Sequence, residues 1–288
     1  MVNGLHDQQS EIPESDYSQS LKKMDVATCE AMAVSQAIKI DHVAKHIGYS
    51  VHIYKRICRH AVSLISAVPR SRWVTSDFEN WDFACAAGQS RAIMEGYLLF
   101  RYLVIPPSCN DEWVTKFLVL YLNDRVRRAK MMADLMVTEA AEQWSSEVEE
   151  LRIRLNSNPW FLALDKEVRK GCLSGKYLMV QNRDHILELA GLDRGQFNAA
   201  WDLLSQYAHM LPMSFTSSEP DGRGSGEENQ QDKDYIGATV ACCADILNTA
   251  TNIMTTEFPA TKIVRQGIDS RFYKGPKSNH PEFPKNHR

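Results

Sequence analysis

WDFACAAGQSRAIMEGYLLFRYLV, residues 81–104, decides the fold class. Set at 100° per residue, Trp81, Ala84, Gly88, Ala92, Leu99 and Tyr102 fall on one stripe, with Arg91 and Glu95 inside it. Phe83, Ala86, Ile93, Tyr97 and Phe100 cover much of the remainder, so the helix is apolar nearly all round and belongs at the centre of a bundle. Arg91 and Glu95 are therefore expected to be buried or to line a cleft, where an unpaired charge is costly.

Working outward, helical periodicity covers 21–46 and 50–68, the second stopped by Pro69. The central helix spans 79–105 and ends at Pro106-Pro107. Asn110 is placed to cap a fourth helix, with Asp111 and Glu112 in the first turn where the macrodipole favours acids. That helix runs to Val137, and a more polar one follows to Leu155. After the break at Asn156 to Pro159, residues 160–192 read as short pieces punctuated by Gly171, Gly175 and Gly191. Asp193 caps a helix to Leu211, closed by Pro212, and a last apolar helix covers 235–258. Alternating strand patterns are absent. The fold class is all-α, a multi-helix bundle. Its expected organisation is a disordered segment over 1–20, one helical domain over 21–258 with a mobile polar loop at 216–233, and a basic C-terminal tail over 259–288.

Acidic residues exceed Lys+Arg by 36 to 33, so no overall positive field points to nucleic acid; a nucleic-acid partner stays open through the basic tail alone. Seven cysteines, an odd number with no C-x-x-C pair, give neither a zinc ribbon nor a disulfide framework. No apolar stretch reaches the ~20 residues of a membrane span. The chain reads as soluble and cytoplasmic, with no membrane, cofactor or metal called for. His42 and His46, spaced i,i+4, lack a third ligand and the glutamate of H-E-x-x-H. Gly171 to Lys176 falls one residue short of a phosphate loop and follows no strand. The partner is unspecified, with homo-oligomerisation open.

The fourth helix carries Trp113, Phe117, Leu120, Met131 and Leu135 as its apolar stripe, interrupted by Asp124 and Arg128 at i,i+4. If this face meets that of Arg91 and Glu95, the four charges neutralise one another. The helix after Asp193 aligns Asn198, Asp202, Ser205 and His209 along a flank beside Phe197, Trp201 and Leu204. Two readings follow. In one, Arg91 and Arg128 hold an anionic ligand with Ser205 among the binding residues, His209 acts as general acid/base, and Glu95 or Asp124 orients it. In the other, preferred here, the charges form a buried structural network in a non-catalytic scaffold or partner-binding protein.

Arg91-x-x-x-Glu95, the run Tyr121 to Arg128 and Leu204-Ser205-x-x-x-His209 resemble the motifs of an uncharacterised bacterial family, presumed helical and cytosolic. The resemblance covers residues 60–255 and implies that Arg91, Glu95, Ser205 and His209 occupy its polar motif positions. A looser similarity to HEPN-type helical ribonucleases, which place an arginine and a histidine on one helix, implies RNA cleavage in a defence or stress context. This chain departs from that pattern: Arg56 and His60 have only three residues between them and no arginine precedes His209 at the required spacing, so such a pair could form only across helices, as Arg91 with His209.

Overall fold

A computed structural model of the chain describes residues 17–41, 43–216 and 224–270. Among these are eleven α-helices, two 3-10 turns and no strand. Two compact units result. Among the described residues, unit 1 takes 17–38, 57–94, 201–216 and 224–270, and unit 2 takes 39–41, 43–56 and 95–200.

In unit 1, α1 (Tyr17–Ala37) packs along α11 (Gln230–Glu257). Both bury small residues, Ala27 and Ala31 on α1 with Gly237, Ala244 and Ala250 on α11, so their backbones can approach closely. Helix α2 (Lys45–Ala67) crosses from unit 2 into unit 1, and α3 (Ala84–Val104) crosses back. Trp81 and Phe83 lie in the approach to α3 and are buried all the same; Tyr17 sits 5.0 Å from Trp81, centroid to centroid, and Tyr207 sits 4.8 Å from Phe83.

Several boundaries depart from the periodicity reading. Tyr17 and Ser20, expected in a disordered segment, are helical and buried. The helix expected over 21–46 stops at Ala37, and Lys39 to Asp41 are exposed where the chain passes to unit 2. No glycine or proline marks that break. The polar stretch 216–233 narrows: Asn229 caps α11 by accepting the Asp232 amide at 2.8 Å, and Asp232 is buried. Residues 217–223 lie outside the described residues, as do the expected disorder of 1–16 and most of the tail, 271–288. The tail's first part is structured. Turns Pro259–Val264 and Gly267–Asp269 pack on α1, where Glu30 accepts Arg265 Nε at 2.7 Å and the Gly267 amide at 3.0 Å.

Unit 2 is built on α4 (Asn110–Asp134) and α5 (Thr138–Asn156), packed along each other. Short helices α6 (Pro159–Leu162) and α7 (Lys166–Leu173) close the core around Leu118, Leu122, Leu155, Phe161 and Cys172. Helix α8 (Arg183–Ala190) ends on Gly191 in the left-handed region, and α9 (Arg194–Ala208) leads back into unit 1, where α10 (Pro212–Thr216) follows. The N-cap of α4 is Cys109, which makes no side-chain cap bond, rather than Asn110. Glu112 takes over the capping function, accepting the Ser108 amide at 2.7 Å. The buried face of α4 runs through Trp113, Leu118, Val119 and Leu122 to Asn123 and goes no further, leaving Met131 and Leu135 exposed. Among the described residues no helix is long and apolar enough to cross a membrane.

Candidate functional site

The charges singled out on α3 and α4 sort into local sets. Glu95 is exposed and Arg91 half-buried, so the burial expected of the pair as one alternative to lining a cleft does not occur. The stripe holding them was read as core because Ala84 and Gly88 share it, but small residues cost little to expose, and both are exposed. The buried face of α3 is the one through Ala86, Ser90, Ile93, Tyr97 and Phe100. On α4 the i,i+4 pair forms as read, Arg128 Nε to Asp124 Oδ2 at 2.8 Å, yet Arg128 is exposed and Asp124 half-buried. Asp124 raises the Arg128 pKa above its usual value through that bond. Arg125 also contacts Asp124, reaches Glu147 at 2.6 Å and shares the Trp144 ring with Arg128, at 4.7 and 5.4 Å. This is a surface array in unit 2, not a buried network.

In unit 1 Arg91 and His209 do meet, Nη1 against Nε2. Arg91 lies over the Trp201 ring, 5.2 Å from its centroid. His209 is exposed, one residue beyond the end of α9, and its amide donates to the Ser205 carbonyl at 3.1 Å. The Ser205 hydroxyl donates to the Trp201 carbonyl at 2.6 Å, so its proton is engaged by the helix backbone. The Arg/His contact, with Trp201 added, is the part of the predicted constellation that the fold brings together here. Glu95, Asp124 and Arg128 belong to unit 2. Among the described residues no group of three or more His, Cys, Asp or Glu could hold a metal; His42 is outside them.

A second site escaped the sequence reading. Asp25 on α1 is 6% exposed and accepts four bonds: from Arg72 Nε at 2.5 Å and Nη2 at 3.0 Å, from Trp73 Nε1 at 2.7 Å and from the Cys29 thiol at 3.6 Å. A buried carboxylate satisfied in this way fixes both the guanidinium and the indole in place. Beside it opens a cleft of about 470 Å³, lined by Tyr17, Ser18, Lys22, Arg70, Ser71, Arg72, Trp73 and Lys233 with Leu21 and Ile65. Arg70 has φ 57° and lies over Trp81 at 5.0 Å, with Lys233 over the same ring at 5.7 Å. Both cations hold Glu228, Arg70 Nη2 at 2.5 Å and Lys233 Nζ at 2.8 Å. The Tyr17 hydroxyl donates to the Pro69 carbonyl at 2.6 Å, and burial pushes its pKa well above the ordinary phenol value. Burial, then the Asp25 carboxylate, pushes the Cys29 thiol up to about 12.

Two signals announced this site. Asp25 interrupts the otherwise apolar Met24, Ala27, Ala31 and Val34, and Arg70-Ser71-Arg72-Trp73 follows a helix-stopping proline. Lys233 and Glu228 were hidden in the stretch read as a loop. Unit 2 has a wider cleft of about 770 Å³ along Lys176 to Asn182 with His185. Its neighbour, the Gly171 to Lys176 stretch, is a helix end and turn whose Gly175 carbonyl accepts Asn123 Nδ2 at 2.8 Å. No family model, curated protein or solved structure matches the chain.

Proposed function

We propose that the protein is a non-catalytic partner- or ligand-binding protein, cytoplasmic and bacterial, whose working surface is the cationic cleft of unit 1. One observation carries this reading. Four cations, Lys22, Arg70, Arg72 and Lys233, line a single cleft against three acids, Asp25 on Arg72, Glu228 on Arg70 and Lys233, and Glu79 beside Arg70, which leaves a net positive charge. Such a cleft favours an anionic group by charge and by bidentate geometry. Burial keeps the Tyr17 hydroxyl and the nearby Cys29 thiol protonated, which favours binding over nucleophilic chemistry. Seven free cysteines suit a reducing compartment.

The test is the thermal midpoint in rising inorganic phosphate at low ionic strength. A ligand bound only by the folded state stabilises it as RT ln(1 + [L]/Kd). The wild type gains stability and Arg70→Gln/Lys22→Gln gains much less; equal gains in both would remove the cleft from consideration.

The Arg91–His209 contact favours a second reading, a HEPN-like ribonuclease or another enzyme acting on phosphate-bearing substrates. In that case His209→Gln, which cannot titrate near neutrality, stays folded and loses RNA cleavage by roughly 10²-fold or more. The binding reading expects wild type and His209→Gln to be equally inert toward RNA.

A further inference from the structure

Resting on the reading of that cleft as an anion site, we infer that it takes a phosphate monoester carrying a flat aromatic body, of the nucleoside monophosphate class, and that Glu228 occupies the phosphate position until the ligand displaces it. Glu228 bridges two lining cations, Arg70 to Oε2 at 2.5 Å and Lys233 to Oε1 at 2.8 Å. One carboxylate oxygen on each cation is the arrangement that two phosphate oxygens would take. A dianionic phosphate brings more charge to the pair than a carboxylate.

Release of Glu228 is structurally inexpensive. Its side chain is 40% exposed, and it sits in the stretch before the α11 cap rather than in a core helix. Arg70 is also half-exposed at 49%, and besides Glu228 it has Trp81 beneath it at 5.0 Å and Glu79 3.6 Å from its Nε. The remainder of the cleft is too large and too apolar for phosphate alone. Leu21, Ile65, Tyr17 and Trp73 line it, and its volume falls in the range of small-molecule sites. Trp73 is held by its bond to Asp25 before any ligand arrives, so an aromatic body meets an ordered ring rather than one that must be immobilised.

The experiment titrates the full chain by calorimetry at neutral pH and low salt with adenosine monophosphate, adenosine and inorganic phosphate. The monophosphate binds about tenfold or more tightly than phosphate, and adenosine more weakly still. Arg70→Gln weakens the monophosphate about tenfold, whereas Glu228→Gln, which removes the resident anion, strengthens it severalfold. Lys233→Gln repeats the Arg70→Gln loss, should the latter perturb folding. Phosphate and monophosphate binding equally would overturn the aromatic part and leave the anion cleft standing. Unchanged or weakened binding by Glu228→Gln would overturn displacement. No phosphate binding by the wild type would remove the anion reading itself.

Discussion

Glu112 and Lys116 form an ion pair with both side chains buried, 11% and 5% exposed and 2.8 Å apart. Ser108 donates its amide at 2.7 Å and its hydroxyl at 2.6 Å to Glu112, and Lys116 lies 5.1 Å from the Tyr102 ring centroid. A buried charge needs a partner, and here that holds for Glu112 and Lys116 rather than for Arg91 and Glu95. Lys116→Met is therefore expected to destabilise by about 3 kcal/mol or more, because it strands the Glu112 carboxylate. Glu112→Leu/Lys116→Met should cost far less, and urea unfolding compares the two. The pair also sets an acid dependence. Burial alone would raise the Glu112 pKa, but the bonds from Lys116 and Ser108 prevail and hold it below its ordinary 4.5. A depressed folded pKa gives stability that is complete above the unfolded value and is lost as pH falls below 4.5 through the folded value. Stability measured across that window should fall less steeply in Glu112→Gln than in wild type.

At the scale of elements, the Asp193 cap was legible, the Asn110 cap falls to Cys109, and burial faces were not legible. Asn158, Asn182 and Asp193 stand where a polar residue precedes a helix, and each accepts an amide three residues on, at 3.0, 2.9 and 2.7 Å. Asp193→Ala should lower stability by about 1 kcal/mol, visible in the urea midpoint. Glycine punctuation was equally readable, and the structure grades it. Gly191 has φ 66° with nothing near its missing Cβ, so Gly191→Ala costs only the left-handed backbone term, about 1–2 kcal/mol. At Gly175, φ 72°, a Cβ would meet the Val126 side chain at 2.6 Å. Gly175→Ala should therefore cost clearly more than Gly191→Ala in the same unfolding assay. What periodicity could not supply was the direction each helix faces. Small residues such as Ala84 and Gly88 fit either side, and the break after Ala37 carries no local signal because it serves the passage between units. The Asp25 cleft was missed for a related reason: its parts come from α1, the segment after Pro69 and the start of α11, and only tertiary structure joins them.

For the whole molecule, buried cysteines report on both units. Cys29 and Cys243 are buried in unit 1 and Cys172 in unit 2. Burial raises their pKa values, to about 12 for Cys29 and Cys243 and about 11 for Cys172, so each is unreactive as a neutral thiol until its surroundings open. Helices α2 and α3 each give one part to unit 1 and the other to unit 2. Melting either unit therefore frays a helix that the other requires, and helix formation is cooperative along its length. The expectation is one transition rather than two. Pulsed alkylation in rising urea, read by mass spectrometry peptide by peptide, should label Cys29, Cys172 and Cys243 with coincident midpoints. Exposed Cys109 should react without denaturant. Labelling of Cys172 well before Cys29 and Cys243 would show that unit 2 opens alone and that the shared helices do not couple the two. The same series bears on the cleft, which lies in unit 1. If the units unfold together, a ligand held there should shift the Cys172 midpoint by as much as those of Cys29 and Cys243.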